Sequence, residues 1–294
     1  MTLPSILMVQ ERGRHPENWQ FRESENLRRA FDRAGVRSEI WGLGQPTFSA
    51  SFDEIVKDYD VVFVMENYDQ QNWLPDLRSC PKFKVFWSID SHCALGQHVW
   101  FSKQSRFQVH LNSTEGYLKH FQRHSPRALW FPNAYPDDLI APRPDVDKIH
   151  PLGFCGSMIG GRDRWLGEIS NTVPVRSDVF ILGEEMVKAV NSYKIGLNKS
   201  IADDINYRVF ETLGCRTMLL TNEVHGLDRL FTPGEHLVTY KDTGDLVEKA
   251  RYYLLTAPPG ALEAIAAAGH EHVREHHTYS VRAKKLLEII SEGI

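Results

Sequence analysis

Cysteine is scarce. The chain of 294 residues has four, Cys80, Cys93, Cys155 and Cys215, and none forms a C-x-x-C pair. That spacing excludes a zinc ribbon and a dithiol redox motif, and the thiols read as free and buried in a reducing compartment. No apolar run approaches the ~20 residues of a membrane-spanning helix. The opening Met1–Val9 lacks a basic start and a long apolar centre, so it reads as a strand and not as a leader. The expectation is a cytoplasmic protein without a transmembrane segment. Charge of one sign is missing as well: 34 Lys and Arg stand against 38 Asp and Glu, a net charge of −4. That excludes the broad basic face of a general nucleic-acid binder, although a local patch stays open. The arginines between Arg12 and Arg37 alternate with acids and read as surface ion pairs. There is no Walker loop, no G-x-G-x-x-G, no short repeat and no low-complexity tract.

What is present is a well-packed composition, 42% hydrophobic and 11% aromatic, on a length that suits two domains. Ile6–Val9, Arg37–Trp41, Asp60–Met65, Lys84–Ile89, Phe107–Leu111 and Ala128–Phe131 read as strands. Asp60–Met65 is continuously apolar, as in strands buried on both faces of a parallel sheet. Helices are expected over Phe21–Ala34, Phe52–Lys57 and Glu115–His124. Pro132, Pro136, Pro142, Pro144 and Pro151 mark a linker. Beyond it the second half starts with Leu152–Ser157, and strands are expected at Val179–Leu182, Lys194–Leu197, Met218–Thr221 and Leu237–Thr239. Helices should cover Glu184–Ser192, Tyr207–Leu213, Thr243–Leu255, Gly260–His276 and Ser280–Ser291. This alternation predicts an α/β protein of two Rossmann-like, doubly wound domains, 1–135 and 150–294.

The stretch Asn206–Thr217 carries the sharpest signal. A helix with a carboxylate, Glu211, at mid-length ends on Gly214 and runs into the apolar Met218–Thr221, an αβ unit of a parallel sheet. Tyr207, Phe210 and Leu213–Gly214 share a core-facing stripe. Arg208 and Glu211, three apart, share another face, where Glu211 either pairs with Arg208 or receives ligand hydroxyls. Asn198, Lys199, Ser200, Asp203 and Asp204 precede the helix, so acids and amides gather around one helix start. Upstream, Gly153–Arg162 is a glycine-rich turn between a strand and a helix. Its glycines, with Gly156-Ser157 and Gly160-Gly161, let backbone N–H groups approach an anion. Arg162 either neutralises that anion or pairs with Asp163 or Glu168.

Asp203-x7-Glu211 resembles the Glu-x7-Glu donor-binding motif of the group 1 glycosyltransferases, with the first acid one methylene shorter. Leu230–Tyr240 and His277–Arg282 resemble the same family, so the likeness covers roughly the last third of the chain. It implies the GT-B type of fold, two Rossmann-like domains facing across a cleft, with an acceptor-side first domain and a nucleotide-sugar-binding second domain. The last helix is expected to pack back on the first domain. It also implies transfer of a sugar from a nucleotide-sugar donor, with retention and without metal or cofactor, the donor being a co-substrate. Glu211 then holds the ribose hydroxyls and Asp203 the transferred sugar, although an acid there is also an ordinary helix cap. His92, at the end of strand Lys84–Ile89, faces the transferred sugar or merely caps its loop. Arg162 stabilises the leaving diphosphate as a third catalytic candidate. Gly156, Ser157, Asn198, Lys199, Asn206, Tyr207, Arg208 and Glu211 form the donor-binding set.

No metal site is expected. Asp58-Tyr59-Asp60 spells D-x-D, but it precedes a strand and so sits at the wrong end for a site. The histidines at 120, 124, 270, 272, 276 and 277 lack cysteine or acid partners at matching spacing. The acceptor is not readable: a glycan, a lipid-linked glycan, a small molecule and a modified nucleic acid all stay open. Two rival functions stay open as well, a nucleotide-sugar epimerase of the same architecture and a non-enzymatic two-lobed small-molecule binding protein.

Overall fold

The first strand shows why the chain folds into layers. Ile6–Val9 (β1) is buried over its whole length and pairs in parallel with Ser38–Trp41 (β2) on one side and Val61–Met65 (β3) on the other. Both faces therefore need covering by helices. In the computed structural model, which describes residues 3–67, 73–125 and 127–293, the sheet continues through Phe83–Ser88 (β4), Val109–Asn112 (β5) and Arg127–Trp130 (β6). Its order is β2-β1-β3-β4-β5-β6 and every pairing is parallel. A second parallel sheet holds His150–Gly156 (β7), Arg176–Val179 (β8), Tyr193–Asn198 (β9), Met218–Asn222 (β10) and Val238–Tyr240 (β11), in the order β11-β10-β9-β7-β8. Two doubly wound α/β units result.

The chain divides into one unit of Met1–Pro132 with Tyr279–Ile294 and another of Asn133–Thr278. Helix Tyr279–Ser291 thus belongs to the first unit. Its buried face carries Ala283, Leu286, Ile289 and Ile290. Polar contacts fix it there. Arg282 Nε donates to Pro132 O at 2.7 Å, Arg127 Nη1 to Ile289 O at 3.1 Å, and Arg33 Nη2 to Ser280 Oγ at 3.0 Å. The proline-rich segment after Pro132 packs within the second unit. Tyr135 and Ile140 are buried, Tyr135 N donates to His277 O at 3.1 Å, and Arg143 N donates to Asn191 Oδ1 at 2.8 Å.

Two elements differ from expectation. The strand expected at Val179–Leu182 lies at Arg176–Val179, because an edge strand needs no continuous apolar run. Arg176 and Asp178 form a forked ion pair on it, and the next residue, Phe180, is 82% exposed at φ +60°. Helix Ser91–Ser105, with a kink at Ala94, follows β4 directly and had no counterpart in the sequence reading. Its apolar residues form no 3.6-residue stripe, and its Trp100 is exposed.

Candidate functional site

In the second unit the chain leaves β7 for β8 on one side and continues to β9 on the other. The crevice beyond the C-terminal ends of β7 and β9 is therefore a topological switch point, where open parallel sheets bind ligands. Gly156 ends β7 and Ser157 follows it. The turn then passes through Gly160 (φ +64°) and Gly161 (φ +74°) into helix Arg162–Ser170. The positive φ of Gly160 favours glycine, and a Cβ there would also have to displace the end of the Ile201 side chain, 2.3 Å away.

Arg162 bridges the two strand ends. Its Nε and Nη2 donate to Lys199 O at 3.0 and 2.7 Å, and its Nη1 lies 3.4 Å from both Ser157 O and Oγ. These bonds tie the glycine turn to the end of β9. Burial lowers the guanidinium pKa, and the neighbouring Arg208 lowers it further, but an arginine stays charged in this range. Neither Asp163 nor Glu168 is among its hydrogen-bond partners. Lys199 places its ammonium 5.9 Å from the Trp165 ring centroid.

Asn198, fully buried at the end of β9, anchors the rest. Its Nδ2 donates to Ser200 Oγ at 3.1 Å and to Thr221 Oγ1 at 3.0 Å, its Oδ1 accepts from Asn206 Nδ2 at 3.2 Å, and its carbonyl accepts from Tyr240 OH at 2.8 Å. Asn222, at the end of β10, accepts from Ser200 N at 2.6 Å. The sequence reading did not single out Thr221, Asn222 or Tyr240. A polar pair closing an apolar strand at the sheet's C-terminal edge was the available signal. Ala202 (φ 52°) and Asp203 (φ 61°) then form a left-handed turn. Asp203 is exposed on it, whereas the adjacent Asp204 is buried.

Asn206 is the N-cap residue of helix Tyr207–Gly214, and its Oδ1 is buried without a hydrogen bond. The helix is buried more widely than one stripe: Val209 and Thr212 join Phe210, Leu213 and Gly214, while Tyr207 is half-buried. Helix Ala261–His276 packs against it and against β10, and a Cβ on Gly214 would lie 2.6 Å from the Tyr135 ring. Arg208 Nη1 and Glu211 Oε2 lie 2.9 Å apart, both largely shielded from solvent. Burial opposes the charge on Arg208, but Glu211 and the other groups around it outweigh that, and its pKa is raised. The two atoms are not aligned as a hydrogen bond, so the ion pair leaves polar capacity unused in the buried wall of the site.

The first unit has its own switch point, between β1 and β3. Gln10 Nε2 donates to Glu23 Oε2 at 2.9 Å and to Glu66 O at 3.1 Å, and Glu11 N donates to Asn67 Oδ1 at 2.7 Å. Glu66 Oε2 accepts from Ile89 N and Asp90 N, both at 2.7 Å, and lies 3.5 Å from His98 Nε2. Burial, reinforced by the Asp90 charge, pushes the Glu66 carboxyl up to about 8. His98 is fully buried, bonded through Nδ1 to Ser88 Oγ at 2.7 Å, and burial holds it down to about 4. His92 sits in the first turn of helix Ser91–Ser105, after the N-cap residue Asp90, half-buried and with Nδ1 unbonded. It therefore lies on a helix and not in a strand-end loop. At the opposite end of β3, Asp60 Oδ2 accepts from Ser5 N and Oγ, both at 2.8 Å, which gives the D-x-D triplet a structural use. His272 Nε2 donates to Leu230 O at 2.7 Å.

Residues 146–288 match the family model described as glycosyl transferase-like. Across the whole chain, solved structures share the fold. Sucrose-phosphate synthase (tll1590) from Thermosynechococcus elongatus aligns with a TM-score of 0.67 at 12% identity, over 98% of each chain. Alr3699/HepE from Anabaena, solved in complex with UDP-glucose, aligns at 0.63 and 8% identity, over 98% of this chain and 100% of that one. An alpha-glucosyltransferase solved with UDP and a 13-mer DNA containing a central A:G mismatch aligns at 0.70 and 11% identity, over 99% and 100%. The whole chain has the GT-B type of fold, and its second half is similar to the glycosyl transferase-like family. No curated protein sequence matches it. The matched residues span β7 to β11 and so include Gly156, Ser157, Arg162, Asn198, Lys199, Asn206, Arg208 and Glu211. Among the described residues no helix is long and apolar enough to cross a membrane.

Proposed function

We propose that this protein is a glycosyltransferase that moves a sugar from a uridine diphosphate sugar to an acceptor, with retention at the transferred carbon and without metal or cofactor. One observation carries the reading. The switch point between β7 and β9 brings Gly156-Ser157 and Asn198–Ser200 together under the positive side chains of Arg162 and Lys199. Backbone N–H groups of the glycine turn, the start of helix Arg162–Ser170, the Arg162 guanidinium fixed on Lys199 O and the Lys199 ammonium suit a departing diphosphate. Asn206 and Tyr207 open the next helix, on which Glu211, held by Arg208, meets the ribose hydroxyls. Asp203 and His92 serve the transferred sugar. The uridine base is supported by the related structures solved with UDP or UDP-glucose. A reducing, cytoplasmic setting is supported by the buried free thiols of Cys155 and Cys215.

Thermal-shift titration with UDP, ADP and GDP tests the donor, because a ligand that binds only the folded state raises its melting temperature. UDP is expected to give the largest shift. Glu211→Gln keeps the side-chain shape and should weaken UDP by about 1.5–3 kcal/mol, the range of a hydrogen bond to a charged group. An unchanged affinity in the folded variant would reduce Glu211 to a structural partner of Arg208. Incubation with UDP-glucose alone separates slow hydrolysis, expected here, from the sugar isomer that an epimerase would release.

A further inference from the structure

A cavity of about 790 Å³ opens in the first unit between the loop at residues 74–78 and one face of helix Ser91–Ser105. It lies away from the strand ends described above. Trp100 on its wall is eight residues beyond His92, about 12 Å at 1.5 Å per residue. Buried Leu77 and Phe101 form the floor. Buried Lys84 pins both sides, with Nζ donating to Leu77 O at 2.7 Å and to Ser105 O at 2.8 Å. The cavity is thus preformed, as small-molecule sites usually are. On its wall stands Trp100, 62% exposed, flanked on the same helix face by the amides of Gln97 and Gln104.

The chemistry of the lining selects a ligand class. The one arginine at the cavity, Arg78, is forked onto Asp76, with Nε to Oδ1 at 3.0 Å and Nη2 to Oδ2 at 2.9 Å. Lys84 has its ammonium on backbone carbonyls. Asp76 thus balances Arg78, and Lys84 is buried, so the lining offers an anion such as a nucleotide no net positive charge. An open indole face attracts polarised C–H groups, and amides both donate to and accept from hydroxyls. We propose that this cavity binds a neutral oligosaccharide, with Trp100 as the stacking platform and Gln97 and Gln104 as hydroxyl partners, at a place separate from the transfer site.

Isothermal titration of the full chain with maltohexaose, cellohexaose and chitohexaose tests this, run beside UDP on the same samples. At least one oligosaccharide should bind, and Trp100→Ala should weaken it by about tenfold or more. Gln104→Ala should weaken the same sugar, and both variants should keep the UDP response of the unmutated chain. The UDP arm tells a failure here from a failure of the donor reading. Trp100 projects outward, so its truncation leaves the core intact; Gln104→Ala is the second probe should that variant melt early. Absence of binding by all three sugars would overturn the proposal. So would binding that ignores both substitutions, or a cavity that takes farnesol in preference to every sugar.

Discussion

Glu66→Gln should flatten the pH dependence of stability near neutrality. The Glu66 carboxyl stands at about 8 in the folded chain against a reference value of 4.5, chiefly because burial penalises its charge and secondarily because Asp90 lies near it. The two amide donors at 2.7 Å favour the charged form but do not overcome that. His98 offers no positive charge, being itself held neutral by burial. A folded pKa above the unfolded one means that the folded state binds the extra proton. Its stabilisation is complete below the unfolded value and is lost as pH rises through about 8. Between pH 6 and 7.5 the unfolded carboxyl is ionised and the folded one is mostly not, so the loss approaches 1.36 kcal/mol per pH unit, about 2 kcal/mol in all. At roughly 2–4 °C per kcal/mol for a unit of this size, the melting temperature should fall by about 4–8 °C across that interval. Glutamine keeps the shape without a titrating proton, so the variant should lose most of that slope and match or exceed the parent at pH 7.5. Asp90, also raised by burial, carries what slope is left, and adding Asp90→Asn should remove it. Parallel melting curves for parent and Glu66→Gln would show that Glu66 is ionised in the folded state and would refute the account.

His92→Ala should lower turnover of UDP-glucose by about 2–4 kcal/mol, the worth of a preorganised transition-state donor, while UDP affinity by titration stays unchanged; equal losses in both would place His92 at the nucleotide or in packing. Turnover should survive exhaustive chelation with EDTA, and complete loss restored by magnesium or manganese would overturn the metal-free reading. Gly160→Ala should destabilise by about 1–3 kcal/mol, seen as a lower urea midpoint, because the new methyl meets Ile201 and the backbone sits at φ +64°; a neutral effect would mean that the turn relaxes freely.

How much of this was legible depends on how local each signal is. β3 announced itself because Val61–Met65 is apolar throughout, and helix Tyr207–Gly214 because cap, carboxylate and terminal glycine fall within nine residues. Helix Ser91–Ser105 stayed hidden because it covers β4 with a few residues and leaves Trp100 outside, so no stripe forms in the sequence. β8 stayed displaced for a related reason: an edge strand can carry the exposed Arg176, paired with an Asp178 that also accepts from Tyr193 OH. The donor-side residues were named from type and spacing, but what each does depends on neighbours distant in sequence. Arg162 was weighed against Asp163 and Glu168; its partner is the carbonyl of Lys199, 37 positions away.

Glu66 shows the limit most clearly. Nothing in Met65-Glu66-Asn67 distinguishes it from a solvated acid after a strand. Its protonation follows from three things that only folding assembles: the closing of helix Ser91–Ser105 over it, the approach of Asp90, and a histidine too deeply buried to be charged. Both switch points therefore carry polar groups whose partners come from other strands, yet they differ in electrostatic character. The second unit fixes cations at the ends of β7 and β9, which suits a diphosphate. The first unit gathers Glu23, Glu66 and Asp90 near the ends of β1, β3 and β4 and holds a proton on Glu66, which suits hydroxyl partners. The two sheets thus share the order of their first five strands yet carry different electrostatic environments at their switch points.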